Sequence, residues 1–538
     1  MKKNAGIREP EVSRPGSKTT GMREAQVGSR RKKSKIADKG INAVGVGFIV
    51  VQFLATVLFE VFLWRLGVLP AKYFGLITAV VAVALLLVIA TQFAKKKGAR
   101  VFGRVVAVLS SLAIVFMSYY VIMMDRAIEN LTSDPMKVVH SMAVAVNTDD
   151  PALTIQDAAG YVFGVQYQLN PEQTEATIAD INRVLGREIG LAEYDNISEQ
   201  IVALHNREIG AIIFNEAYNP IVDEEEFSGF EDTIRIIYFY AYEEGSFVST
   251  KPLPTPDPSE TLTPTPTTRP KTPDLVSNDC FSVYLSGIDT YGSIGNVSRS
   301  DSNIIAVVNP VSRQILLITT PRDYYVTFPG VTGGSKDKLT HAGLYGVEVS
   351  MATLSELYNL PIEYYARVNF NSFMDIVDIL GGVDVYSSVS LTMGKLGEIV
   401  KGMNHFNGAQ ALAFSRERIR LAGGDSDRGK NQQAVITAML QKMMTPSILT
   451  SATSIMTKVG DSVETNFTSE QIQRIVADQL DAGSSWNITS IAATGRGDTQ
   501  YCYSYRGKPL YVTWPNIDSL NEIKGLVQKV MNGEVIGQ

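Results

Sequence analysis

Residues 41–124 contain three apolar runs, about Ile41–Trp64, Tyr73–Phe93 and Val101–Met124, and these leave the chain little choice of surroundings. Each is close to the roughly 20 residues that a helix needs to cross a bilayer. The second includes ITAVVAVALLLVIA, which has no polar face, so a buried helix of a soluble domain is the weaker reading. Glu60 falls late in the first run. An intramembrane carboxylate would mark function, but its place near Arg65 favours the outer interface.

Orientation follows the Lys/Arg bias of the flanks. The tail 1–40, with Arg30, Arg31, Lys32, Lys33 and Lys35, and the loop holding Lys95, Lys96, Lys97 and Arg100 are expected in the cytoplasm; the loop with only Arg65 and Lys72 is expected outside. Three spans within 41–125 then put everything after about Asp125 outside the cytoplasm. A cleavable signal peptide fits poorly, because the tail is long and no small-residue cleavage site follows the first run. Contact with anionic lipid is open to the tail, but stop-transfer charge is the simpler role.

Residues 249–275, STKPLPTPDPSETLTPTPTTRPKTPDL, are Pro/Thr-rich and read as a semi-rigid spacer. The stretch 133–248 before it alternates strand signals (VHSMAVAV, YVFGVQY, EIGAIIF) with amphipathic helix signals (PEQTEATIADINRVLG, NISEQIVALHN). This order, with the phrase DDPALTIQDAAG, resembles one lobe of a type 2 periplasmic solute-binding fold. One lobe lacks the cleft that two lobes make, so a structural or partner-binding accessory domain is expected rather than a transport receptor, with wall-synthesis proteins as its candidate partners.

From 276 to 538 strand and helix signals alternate again, which implies an α/β sandwich with a mixed sheet. FSVYLSGID is a strand ending in a polar turn, NIIAVVNPVSRQILLITTPRD a hairpin around NPVSR, HAGLYGVEVSMATLSELYN a helix, IEYYARVNF a strand, NSFMDIVDIL a helix and GGVDVY a strand. Two cysteines and four histidines give no zinc-type cluster. There is no GxSxG, Walker A loop or GxGxxG ahead of a helix. With a formal net charge of −6, no nucleic-acid partner is expected.

Basic residues nevertheless crowd one stretch, FSRERIRLAGGDSDRGKNQQ at 414–433. Asp289, Arg299, Asp301, Arg322 and Asp323 sit where strands end, and ligand sites of open α/β sheets collect there. Arg416 and Arg418 are two apart, so an extended backbone points both the same way. Arg428 and Gln432 are four apart, on one face of a helix expected to start at Ser426 or Asp427. Guanidinium forks match phosphate, and carboxylates such as Asp289 and Asp301 suit Mg²⁺ with phosphate completing the shell. A diphosphate is therefore the expected anion. Each residue alone has a plainer reading: Arg322–Asp323 as a local ion pair, Asp425 and Asp427 as caps, Lys338 and His341 as an ordinary helix start, Arg420 as solvated charge.

The motifs SGID, VSRSDSNIIAVVNP, ITTPRDYYV, KLTHAGLYG, LGGVDVY, GMNHFNGAQALAFSRER and GDSDRGKNQQ, in this order across about 278–445, resemble those of the LytR-CpsA-Psr family. Its members are membrane-anchored phosphotransferases, mainly of Gram-positive bacteria. They move a glycopolymer, such as teichoic acid or capsular polysaccharide, from an undecaprenyl-pyrophosphate carrier to the C6 hydroxyl of N-acetylmuramic acid in peptidoglycan, assisted by Mg²⁺. The resemblance implies that Asp289 and Asp301 hold Mg²⁺. It implies that Arg299, Arg322, Lys338, Arg416, Arg418 and Arg428 bind the diphosphate with Gln432, that Asp323 orients its neighbours, and that Asp425 stands near the acceptor hydroxyl. It also implies an apolar tunnel for the polyprenyl chain and a location at the bacterial cytoplasmic membrane, catalytic domain outside.

Two departures stand out: Asn431, where many members carry Arg, and three spans where many have one. Residues 446–538 have only loose likeness to the family. Cys280 opens the first strand of the domain and Cys502 lies near its end, both outside the cytoplasm, where disulfides persist; a bridge between them is expected. The residues leave two other activities open: a lipid-pyrophosphate pyrophosphatase, which needs the same groups, and a non-enzymatic envelope sensor signalling through the tail.

Overall fold

The computed structural model describes residues 43–132, 139–225, 227–243, 279–288, 294–445, 463–483 and 485–537. The basic tail, the Pro/Thr-rich spacer and Asp289 lie outside them.

Three helices, α1 (Ala43–Leu66), α2 (Ala71–Gln92) and α3 (Lys97–Thr132), are long and apolar enough to cross a membrane. Glu60 faces α2, where its carboxylate accepts from Thr78 Oγ1 at 2.8 Å. Arg65 pairs instead with Asp125 at 3.2 Å and Glu129 at 3.4 Å. These ion pairs help carry α3 two turns past its apolar run. The extra turns also pack on the C-terminal domain. Leu66, Val68 and Ile128 form one cluster with Val476 and Leu480, Lys72 pairs with Asp481 at 3.1 Å, and Thr132 hydrogen-bonds Ser469.

The accessory domain is a five-stranded sheet in the order β3-β2-β4-β1-β5, built from β1 (Val139–Asn147), β2 (Val162–Val165), β3 (Gly190–Glu193), β4 (Ala211–Asn215) and β5 (Ile234–Glu243). β2 runs parallel to β3 and β4, and β1 antiparallel to β4 and β5. Central β1 alternates its burial, Ala143 and Ala145 to one core, Met142, Val144 and Val146 to the other. Helix α4 (Pro171–Leu185) starts with Pro in its first turn and ends on Gly186 at φ 65°. Helix α5 (Ile197–His205) is capped by Asn196.

The C-terminal domain is built on a six-stranded mixed sheet. Its strands are β6 (Phe281–Ile288), β7 (Ser300–Asn309), β8 (Gln314–Thr320), β9 (Tyr364–Val368), β12 (Val463–Thr465) and β13 (Asn487–Ala492). The order is β12-β9-β6-β7-β8-β13; β9 is parallel to β6 and β13 to β8, and the other pairs are antiparallel. The β7–β8 hairpin turns at NPVSR as expected, with Arg313 at φ 52°. Both faces of the sheet are covered, so its strands are apolar throughout rather than alternating. Ile305 and Val307 pack under α6 (Val347–Tyr358) and α11 (Ile517–Met531). Ile304, Ala306 and Val308 pack under α9 (Asp425–Met443) and α10 (Ser469–Ala482).

GGVDVY is a strand, β10 (Val383–Ser387), but it pairs with β11 (Gly402–Phe406) in a ribbon outside the main sheet. Between them and β6–β9 lie α7 (Phe370–Ile379) and α8 (Gly408–Arg416).

A hairpin of β14 (Gly495–Cys502) and β15 (Tyr505–Pro515) joins the two domains outside the membrane. Cys502, Tyr505, Leu510 and Val512 share one core with Ile201, Phe214 and Tyr218 of the accessory domain, and Ser198 Oγ bonds Tyr505 OH at 2.8 Å. This overturns the expected disulfide: both cysteines are free. Cys502 is committed to the inter-domain core, whereas Cys280 precedes β6 and lies against the end of α11, its Sγ 3.6 Å from Met531 O. A bridge needs the two Cα atoms within about 7 Å, and the hairpin carries Cys502 away.

Candidate active site

The cleft opens at the carboxyl ends of β8 and β13, beside the first turns of α9. Asp301, Thr320, Arg322, Arg428, Gly429 and Gln432 line it, with Thr319, Pro321, Ala492 and Ala493, around about 330 Å³ that is partly open to solvent. The four-residue spacing does what was expected: Arg428 and Gln432 lie on one face of α9 and both reach the cleft. Gln432 Oε1 also accepts from Ser302 Oγ at 3.4 Å.

Asp301 stands near the start of β7. Its Oδ1 accepts from Arg322 Nη1 at 3.0 Å and from Thr340 Oγ1 at 3.1 Å. Burial works against its charge, but Arg322, Arg299 and Arg428 outweigh burial and hold the carboxyl below the usual carboxylate range. Magnitudes favour the cations. One opposite charge at about 4 Å contributes roughly 4 kcal/mol at an effective dielectric near 20, against a desolvation cost of several kcal/mol for the ion; here three cations act on one carboxylate. Behind it, Asp323 is shared between Arg322 Nε at 3.8 Å and Lys338 Nζ at 3.6 Å, all three side chains 7% exposed. Asp323 thus touches both neighbours it was expected to orient. His341 does not join them: its Nδ1 lies 2.7 Å from Asp337.

The structure brings Asp301, Arg322, Arg428 and Gln432 to the cleft, with Arg299, Lys338 and Asp323 buried around it. It does not bring Arg416 and Arg418 to its walls. The expected extended pair fails because Asn407 and Gln410 form a capping box that starts a helix, and Arg416 is that helix's last residue. Its guanidinium lies 4.2 Å over the Phe370 ring, and Arg418 is exposed in the turn that follows. The expected cap of α9 is corrected too: Gly424, at φ 53°, holds the N-cap with no side-chain bond. Asp427 Oδ2 instead accepts from Gly423 N at 2.9 Å, and Asp427 pairs with Lys430 at 2.8 Å. Asp425 is the first residue of α9. Arg420 pairs with Glu417 at 2.7 Å, away from the cleft.

Sequence reasoning missed two contributors, Thr340 and Thr319. Thr340 donates to Asp301, and its place inside KLTHAG was the available signal. Thr319 lines the cleft with its Oγ1 buried and without a hydrogen-bond partner among the described residues, a polar atom that a ligand would satisfy. Asn431, 9% exposed, donates from Nδ2 to Phe414 O at 3.2 Å. The departure from Arg therefore puts a tether between α8 and α9 where a charge would stand.

Residues 237–516 match the profile of the LytR_cpsA_psr family. The chain belongs to that family. Among similar curated proteins, the polyisoprenyl-teichoic acid–peptidoglycan teichoic acid transferase TagU of Bacillus cereus is 38% identical over 192 residues, 36% of this chain and 62% of TagU. The protein of the same name from Enterococcus faecalis is 32% identical over 225 residues, 41% of this chain and 73% of that protein. This chain thus spans somewhat less than two thirds of the B. cereus relative. The crystal structure of B. subtilis TagV matches at 26% identity and a TM-score of 0.41, over 48% of this chain and 99% of that one. The family match takes in every cleft residue and runs through the β14–β15 hairpin. The oxygen donor that a hard cation would need is present in Asp301, which is ionised, borders the cleft and has both its described bonds on Oδ1; such a donor set fits Mg²⁺ completed by phosphate oxygens.

Proposed function

We propose that this protein transfers a phosphate-linked glycopolymer from an undecaprenyl-diphosphate carrier to peptidoglycan, with the acceptor the C6 hydroxyl of N-acetylmuramic acid and the cleft on the outer side of the cytoplasmic membrane. The observation that carries the reading is one ionised carboxylate, Asp301, set among the Arg299, Arg322 and Arg428 guanidiniums at the edge of a cleft that also holds an unsatisfied Thr319 hydroxyl. Family membership and relatives named as teichoic acid transferases support it.

In this reading Arg322 and Arg428, which both line the cleft, grip the diphosphate and offset the charge that builds on the leaving phosphate. Asp323 keeps Arg322 and Lys338 in place, and Gln432 orients the nearer phosphate. Asp301, with Asp289, would hold Mg²⁺, which when bound supplies further charge neutralisation at the diphosphate. Arg416 and Arg418 stand outside the cleft walls and take no part in this grip, and the family likeness would assign Asp425, the first residue of α9, to the acceptor hydroxyl. Catalysis is positioning and charge compensation, with no covalent intermediate on the protein.

The test uses the full chain in lipid nanodiscs with a synthetic undecaprenyl-diphosphoryl saccharide, a peptidoglycan oligomer and Mg²⁺, read by mass spectrometry. A saccharide–phosphate–peptidoglycan adduct that is lost in Arg428→Ala and Asp301→Asn is the expected result. Saccharide phosphate released without adduct would replace the transferase by a pyrophosphatase. Bound lipid with neither product would leave a sensor.

A further inference from the structure

Residues 294–298 of the segment between β6 and β7 lead directly into Arg299, Ser300 and Asp301, so their course decides where Arg299 and Asp301 stand. Residues 294–298 are held from three sides. From the accessory domain, Val139 at the start of β1 donates its N–H to Gly295 O at 3.2 Å, and Val139 O accepts from Val297 N at 3.2 Å, a parallel bridge opposite Asn296. From the sheet, Arg367 on β9 donates Nη2 to Ile294 O at 2.5 Å. The same nitrogen lies 2.5 Å from Glu464 on β12, which also accepts from Tyr365 OH at 2.9 Å. From below, Gly343 lies flush on the loop: a Cβ there would come within 2.4 Å of Ser298 O and 2.9 Å of Ser300 N.

We infer that Arg367 is a positioning residue for Arg299 and Asp301, and that the accessory domain, through Val139, is the other half of the same clamp. The inference rests on the transferase reading above. Arg367 and Glu464 are 6% and 5% exposed. A buried ion pair of this kind is a poor stabiliser, because an apolar pair of similar volume usually serves the fold as well. What an apolar pair cannot do is donate to Ile294 O. A single nitrogen, Nη2, meets both the Ile294 carbonyl and the Glu464 carboxylate, so Lys serves only if its ammonium, on a differently shaped stem, reaches the same point. Neither Arg367 nor Val139 lines the cleft. They act through the loop, where a displacement of about 1 Å can cost on the order of 100-fold in rate. The accessory domain also packs on the segment that follows Lys338. Leu344, six residues past Lys338, is buried in the core that this domain shares with the β14–β15 hairpin, and Ser504 of the hairpin donates its N–H to Asp337 at 2.7 Å.

The test compares full-length protein in nanodiscs with the Arg367→Met/Glu464→Met double variant, with Arg367→Lys, and with Val139→Pro, which removes only the donor to Gly295 at a strand's first residue, where Pro is tolerated. Four quantities are read: melting temperature, amide exchange over residues 289–301, binding of farnesyl diphosphate by calorimetry, and kcat and KM for adduct formation. The expected result for the double variant is a protein that still unfolds cooperatively, its melting temperature lowered only by the loss of the Tyr365 OH acceptor, with faster exchange confined to 289–301, weaker farnesyl diphosphate binding and kcat down about 100-fold. Arg367→Lys should fall between it and wild type, and Val139→Pro should raise exchange in the same segment. A folded double variant with wild-type exchange, binding and kcat would reduce Arg367 to an ion pair and overturn the inference. Should the double variant unfold, Val139→Pro decides alone, wild-type exchange and binding overturning the clamp. Wild-type protein that forms no adduct sinks the transferase reading, while exchange and farnesyl diphosphate binding still decide the clamp.

Discussion

Among the residues of the cleft, position rather than charge separates function from surface. Arg428 is 9% exposed and acts on Asp301; Arg420 is exposed and paired to its neighbour Glu417. Arg428→Ala should lower adduct formation by about 100-fold or more, the scale of losing one preorganised charge donor, with the circular dichroism spectrum unchanged. Arg420→Ala should stay within about twofold of wild type, since exposed ion pairs contribute little. The two thiols should differ in the same way. Burial, ahead of nearby Asp337, pushes the Cys502 thiol up, and burial raises Cys280 less, so a maleimide should label Cys280 in the native protein and reach Cys502 only after unfolding.

Acid should act through two carboxylates. Asp301 and Asp337 are both depressed despite burial, Asp301 chiefly by Arg322 and Arg299 and Asp337 chiefly by His341. A folded-state pKa below the unfolded one means that each stabilises fully above the unfolded value and loses that contribution as pH falls through the folded one. The melting temperature should therefore hold from about pH 7 to 5 as far as these groups are concerned, and drop below about pH 4. A drop that begins near pH 6 would point to other groups.

At the scale of elements, the decisive departures from expectation come from capping and pairing. Arg416 and Arg418 were expected on an extended backbone, but Asn407 and Gln410 close a capping box on a helix that runs through Arg416. Losing such a cap costs about 1 kcal/mol. Asn407→Ala should therefore lower urea stability by about that amount and loosen the α8–α9 contact that Asn431 ties. GGVDVY was legible as a strand from its β-branched alternation, yet its partner β11 was not, because pairing depends on which segment the fold brings alongside. The hairpin NPVSR and the Arg428–Gln432 face were legible, since both rest on local backbone geometry.

The whole molecule is more integrated than a string of domains on a spacer. Helices α1 and α3 and the connection after α1 pack on α10 through Leu66, Ile128 and Val68, and the accessory domain shares a core with the C-terminal hairpin. Residues 276–538 alone would expose Leu344, Cys502, Tyr505, Leu510 and Val512. Each large side chain taken from a core typically costs about 2–5 kcal/mol. That fragment should be less soluble and melt lower than a protein spanning 139–538, as measured by scanning fluorimetry; equal melting temperatures would show that the shared core contributes little.

Periodicity, charge bias and motif order in the chain itself were enough to determine the three apolar helices, the mixed α/β sheet and the identities of most charged residues around the cleft. The helices and strands depend on patterns within about 20 residues, the reach of a single helix or hairpin, and the cleft residues on the order of motifs across about 278–445. The tertiary structure alone decided which arginines share the cleft, that Arg416 stands outside its walls, that Cys502 faces the accessory domain instead of Cys280, and that Val139 and Arg367 meet at one loop. Those are contacts between segments up to a few hundred residues apart. Their register comes from how two cores close on each other, and no local propensity carries that information.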